Sequence, residues 1–62
     1  MKVGFIGLGN VGGKLAGTLM RNGVDIMVRD LDPAKVDEFT SQGATTADSP
    51  ADMMAACDVV IT

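Results

Sequence analysis

The chain has 62 residues, a net charge of −3, five basic side chains, one cysteine and no histidine. A chain this short buries only ~60% of the surface that its unfolded form exposes, and neither a disulfide nor a histidine-bearing zinc site can compensate, so independent stability is expected to be marginal. The basic residues are scattered, which excludes the clustered charge that a nucleic-acid backbone needs, and no run approaches the ~20 apolar residues that span a bilayer.

Hydrophobic periodicity switches along the chain at glycine, proline or short polar residues, and the order reads β-α-β-α-β-α-β. Lys2 to Ile6 is a short, continuously apolar run of β-formers, as expected for a central strand covered on both faces of a parallel sheet. The run Val3 to Leu8 is too short and too interrupted by glycine for a signal peptide, and it lacks a cleavage site. With neither a signal peptide nor a membrane span read in the chain, a reduced, cytoplasmic protein is expected.

From Val11 to Asn22, residues Gly12, Leu15, Ala16 and Leu19 recur at helical spacing, and Asn22-Gly23 supplies a left-handed stop. Val24 to Arg29 forms a second strand, and Asp32-Pro33 opens a second helix with a capping aspartate and a proline in the first turn. Val36 and Phe39 mark its buried face. Gln42-Gly43 ends it, and Ala44 to Ala47 is a short third strand. Ser49-Pro50-Ala51-Asp52 starts a third helix with a cap-like pattern, from which Met53, Met54 and Cys57 are expected to face inward. Asp58 to Thr62 has the signature of a buried strand.

Alternating strands and helices imply right-handed crossovers. The expected architecture is α/β, the first half of a doubly wound Rossmann fold with a parallel sheet of order 3-2-1-4, incomplete at its C-terminal end. Residues 1–62 then form the N-terminal portion of a dinucleotide-binding domain. No internal repeat, low-complexity segment or linker interrupts them.

The turn Gly7-Leu8-Gly9-Asn10-Val11-Gly12 carries the chemistry. A bare G-x-G-x-x-G is common by chance, but here it follows a strand, opens a helix and has Asp30 18 positions beyond its last glycine, close to the ~20 of the dinucleotide fingerprint. Gly7 permits the tight turn, Gly9 lets a pyrophosphate approach the backbone, and Gly12 allows close packing of helix on strand. Backbone N–H groups and the positive end of the helix dipole then attract the phosphates without any lysine.

Asp30, at the end of the second strand, is placed to accept hydrogen bonds from the adenosine ribose and to repel the extra phosphate of NADP. Leu31 agrees, since a basic residue immediately after the strand is the usual phosphate partner. NAD is therefore favoured over NADP. Arg29 leaves an alternative open: alternation sends its side chain to the face opposite Asp30's, yet an arginine so near the strand end can bend towards a phosphate. Asp32, before Pro33, reads as a helix cap. Cys57, with no histidine to activate it, reads as a small core residue, and Lys14 as part of a solvated face.

The residues from Val3 to Gly13, with Asn22-Gly23, Arg29-Asp30, Gly43-Ala44, Ser49-Pro50 and Asp58 to Thr62, resemble the N-terminus of the β-hydroxyacid dehydrogenases, the 3-hydroxyisobutyrate dehydrogenase and tartronate semialdehyde reductase group. Val11 departs from that pattern, which usually has methionine there. Phosphogluconate dehydrogenases, imine reductases and pyrroline-5-carboxylate reductases have similar openings. The resemblance implies that Gly7, Leu8, Gly9, Asn10, Val11 and Gly12 carry the pyrophosphate while Asp30 and Leu31 flank the adenosine. It further implies hydride transfer between the nicotinamide and a small β-hydroxy acid, a lysine as general acid or base, a glycine-rich substrate loop, and a helical substrate domain through which the protein forms homo-oligomers. Neither that lysine nor that loop occurs before Thr62, so the chain by itself is expected to hold cofactor without catalysis. A non-catalytic dinucleotide sensor module and a flavin enzyme are the other readings, the second disfavoured because flavin enzymes tend to place glutamate where Asp30 stands.

Overall fold

In a computed structural model, strands and helices alternate from Lys2 onward: β1 Lys2–Ile6, α1 Asn10–Arg21, β2 Asp25–Arg29, α2 Pro33–Thr40, β3 Thr45–Thr46, α3 Pro50–Ala56 and β4 Val59–Ile61. The structure describes residues 1–62, save the side chain of Asn10. All pairings are parallel and the sheet order is β3-β2-β1-β4, as the alternation requires. The crossover from β3 to β4 places β4 beside β1. The turn after β1 therefore opens at the point where the strand order reverses, which is where sheets of this kind bind ligands.

Helix ends account for the strand lengths. The Val24 N–H donates to the Leu19 carbonyl and the Gly23 N–H to that of Met20, both at 3.0 Å, with Gly23 at φ 80°. This Schellman closure uses the backbone donor of Val24, so β2 begins one residue later than expected. The same closure recurs after α2, where the Ala44 N–H reaches the Phe39 carbonyl and Gly43 has φ 109°. Ala44 is thereby withdrawn from β3. The Ala47 carbonyl is likewise diverted to Arg29, leaving Thr45 and Thr46 alone to pair with Met27 and Val28.

Parallel register sorts the side chains onto two faces. Val3 pairs with Ile26 and Phe5 with Val28, and these four pack with Leu8, Ala16, Phe39 and Ala44 beneath α1 and α2. On the opposite face Gly4 pairs with Met27 and meets Met53 and Cys57 of the α3 region. A β-carbon on Gly4 would lie 2.6 Å from Met53 Cγ and Sδ. Glycine in the middle of β1 is thus what lets the short helix α3 seat its fully buried methionine.

Two expectations about burial are corrected: Met54 does not face inward, and Asp58 to Thr62 is not a buried strand, since β4 spans only Val59–Ile61 and its Val59 is 44% exposed. Leu15 is 40% exposed, because α1 contacts the sheet along the narrower stripe of Gly12, Gly13, Ala16, Leu19 and Met20, and Leu15 falls on its flank. Met54 is 62% exposed. The seven-residue helix α3 touches the sheet through Met53, with its C-cap Cys57 four residues on, and the next residue along a helix is rotated by ~100° away from that contact.

Candidate functional site

Each glycine of the turn occupies a different environment. Gly7 has φ 92°, a left-handed backbone that disfavours any side chain, and its N–H extends the ladder by donating to the Arg29 carbonyl at 2.8 Å. Gly9, extended at φ −65° and ψ −175°, forms the N-cap of α1, and a β-carbon there would have no neighbour within 4 Å. The space above it is open. At Gly12 a β-carbon would stand 2.8 Å from the Gly7 carbonyl oxygen, so α1 approaches the end of β1 more closely than any other residue type permits.

The N-terminus of α1 differs from those of α2 and α3. Asp32 caps α2 by accepting from the Ala34 N–H at 3.0 Å, and Ser49 caps α3 by accepting from the Asp52 N–H at 3.1 Å. Helix α1 has no side-chain cap and no acidic residue in its first turn. Its first intrahelical bond runs from Gly13 N–H to the Gly9 carbonyl at 2.7 Å, and the N–H groups ahead of Gly13 have no intrahelical acceptor. Those donors and the helix dipole face the open space above Gly9, an arrangement suited to a phosphate or diphosphate.

Asp30 lies at the end of β2 and is tied to both neighbouring loops. Its Oδ2 accepts from the Leu8 N–H at 2.6 Å, and its Oδ1 from the Asp32 N–H at 2.8 Å. These bonds, that from Asp32 foremost, hold the Asp30 carboxyl below the ordinary aspartate value, aided by the Lys35 ammonium and the Leu31 N–H and opposed by partial burial. A carboxylate has about four acceptor positions, so the bonds from Leu8 and Asp32 leave room for a hydroxyl donor of a ligand. Beside it, Ile6, Gly7, Arg29, Asp30, Leu31 and Pro50 line a cleft at the C-terminal ends of β1 and β2.

The expected site residues divide by position. Gly7, Gly9 and Gly12 shape the turn, and Val11 stands 82% exposed on the first turn of α1. Leu31 is fully exposed at the rim of the cleft. Leu8 is different: its side chain is a core residue and its N–H is taken by Asp30, so it anchors the turn from below. The side chain of Asn10 lies outside the described residues. Lys14 is exposed, and Asp32 is the helix cap that its place before Pro33 implies.

Arg29 lines the cleft and is held through its guanidinium. Its Nη1 donates to the carbonyls of Ala47 and Asp48 at 3.2 and 2.8 Å, clamping the loop that leads to Pro50. Sequence reasoning missed both this clamp and the part of Pro50 in the cleft wall. No local signal marks either, because Arg29 and Asp48 are brought together only by the β2–β3 pairing. Among the described residues there is no cluster of acidic, cysteine or histidine side chains able to hold a metal ion, and no helix is long and apolar enough to cross a membrane.

Residues 2–62 match the family model described as the NAD binding domain of 6-phosphogluconate dehydrogenase. The chain is 42% identical to human "3-hydroxyisobutyrate dehydrogenase, mitochondrial" over 60 residues, covering 97% of this chain and 18% of that protein. It is 36% identical to "Glyoxylate/succinic semialdehyde reductase 1" of Arabidopsis thaliana, covering 98% and 21% respectively. The fold superposes on an imine reductase from Pseudomonas sp. with a TM-score of 0.85 and 27% identity, over 95% of this chain and 20% of that one. The chain thus spans about a fifth of the length of the relatives it matches.

Proposed function

The chain belongs to the family of NAD-binding domains of 6-phosphogluconate dehydrogenase, and on that premise we propose that residues 1–62 form the N-terminal cofactor-holding portion of an NAD-dependent oxidoreductase acting on a small β-hydroxy acid. The observation that carries this reading is the open space at Gly9, the N-cap of a helix α1 that has no side-chain cap, in a turn drawn tight by the Gly7–Gly12 approach. In this reading the backbone of Gly7, Gly9, Asn10, Val11 and Gly12 surrounds the pyrophosphate, with Leu8 fixing the turn. Asp30 receives the ribose hydroxyls, and the exposed Leu31 covers the adenosine. NAD, when bound, accepts or returns a hydride; the residues of this chain hold and orient it.

The remaining parts of the proposal concern the whole protein. The rest of the nucleotide domain, a helical domain that forms homo-oligomers, and the proton-transferring lysine belong to sequence outside residues 1–62. Similarity to 3-hydroxyisobutyrate dehydrogenase supports a hydroxy-acid substrate. The structural likeness to an imine reductase favours a second reading, a related NAD(P)-dependent reductase acting on a carbon–nitrogen double bond. We place the protein in the cytoplasm; the human relative is named as mitochondrial.

Titration of the full-length protein with NAD and NADP tests the cofactor assignment. Tighter binding of NAD is expected, and Asp30→Ala should narrow the difference. A preference for NADP, or an Asp30→Ala protein with unchanged NAD affinity, refutes the role given to Asp30. Turnover assays with 3-hydroxyisobutyrate and with a cyclic imine then decide between the two substrate classes.

A further inference from the structure

The geometry points to Asp30 as a positioning residue that sets the shape of the glycine turn before any cofactor arrives. Its carboxylate bridges the ends of β1 and β2: Oδ2 takes the Leu8 N–H at 2.6 Å, 22 residues away in sequence, and Oδ1 takes the Asp32 N–H at 2.8 Å. Bonds to an ionised acceptor are stronger than neutral ones. Leu8 is the residue on which this tie acts most directly, since its side chain is packed in the core while the glycines on either side are exposed and have no side chain to anchor them. Core packing fixes one side of Leu8 and the carboxylate fixes the other.

The inference builds on the reading of this cleft as the adenosine site and adds a second task for the same side chain. An acid at position 30 serves the turn whichever dinucleotide binds. Replacing it with a small neutral residue to admit the extra phosphate of NADP would therefore also loosen the turn that receives the pyrophosphate, and binding of both cofactors should weaken. Charged groups near this carboxylate are Lys35 of α2, Asp32 at the cap of that helix, and Arg29, which is held by the Ala47 and Asp48 carbonyls.

Amide hydrogen exchange in the cofactor-free, full-length protein tests the clamp without relying on the ribose contact. Exchange at Leu8 should rise about tenfold or more in Asp30→Ala. The Gly7 amide, bonded to the Arg29 carbonyl at 2.8 Å, serves as the internal control and should be unchanged. Unchanged exchange at Leu8 overturns the inference. If that variant selectively weakens NAD all the same, the ribose contact stands and the clamp alone fails; raised Leu8 exchange with unaltered NAD affinity keeps the clamp and removes the ribose contact. Should Gly7 also lose protection, the variant has disturbed the sheet, and acid titration of the unaltered protein decides. The Leu8 amide shift must then follow the Asp30 carboxyl, and a shift indifferent to its protonation overturns the inference.

Discussion

A β-carbon on Gly12 would stand 2.8 Å from the Gly7 carbonyl oxygen, whereas one on Gly9 would meet nothing within 4 Å. The two glycines of one motif therefore answer to different constraints, and substitution should separate them. Gly12→Ala forces helix and strand apart against backbone, which cannot rotate away, and should cost about 1–3 kcal/mol of stability. Gly9→Ala keeps an allowed backbone (φ −65°) and should leave stability unchanged or raise it by about 0.4–1 kcal/mol, while a methyl group in the space for the pyrophosphate lowers NAD affinity at least about tenfold. Urea unfolding and calorimetric NAD titration of the full-length variants check the contrast.

Gly4→Ala should be destabilising although it lies in a strand, where alanine is normally no worse than glycine. The new carbon would sit 2.6 Å from Met53 Cγ and Sδ and 3.0 Å from Cys57 Sγ, and Met53 is fully buried. A loss of about 1–3 kcal/mol is expected from this overpacking. Trimming the methionine as well, in Gly4→Ala/Met53→Ala, should cost less than the two single losses added together, as read from urea midpoints.

Arg29→Met keeps the aliphatic stem and removes the donor that Ala47 and Asp48 share. The half-exposed setting keeps the expected loss of global stability to about 1 kcal/mol. The local effect should be larger: backbone exchange from Ala47 to Ser49 rises, and NAD binds more weakly because Pro50, a wall of the cleft, is no longer held in place. Hydrogen-exchange mass spectrometry with a cofactor titration checks both.

The lowered carboxyl of Asp30 predicts a particular acid dependence. A carboxyl depressed in the folded protein contributes stability throughout the range above its unfolded value, and loses it as pH falls through the lower, folded value. The gap in urea midpoint between the unaltered protein and Asp30→Asn should hold steady from about pH 7 to about pH 5 and close below about pH 4. A gap that persists in acid would show that the carboxylate charge is not what holds the turn.

Features confined to one turn of chain were legible in the residues themselves. The caps Asp32 and Ser49 and the stops Gly23 and Gly43 bond to groups only a few positions away, so short sequence patterns specify them. The strand–helix alternation likewise carried the parallel 3-2-1-4 sheet, because right-handed crossovers leave few other ways to connect such elements. The glycine turn came with it as a set of spacings.

Only the tertiary structure decided how those parts lock together. Arg29 reaches Ala47 and Asp48 across 18 and 19 residues, and Asp30 reaches Leu8 across 22; such contacts exist because pairing lays the strands side by side, and no spacing along the chain encodes them. The same holds for Gly4, which reads as one small residue among eight glycines until α3 is set down on it. Leu15 and Met54 look inward by periodicity and are exposed because each helix meets the sheet along one narrow line. Sequence by itself determined the elements, their order and the glycine turn. Packing decided which side chains brace that turn, since bracing depends on distances through space.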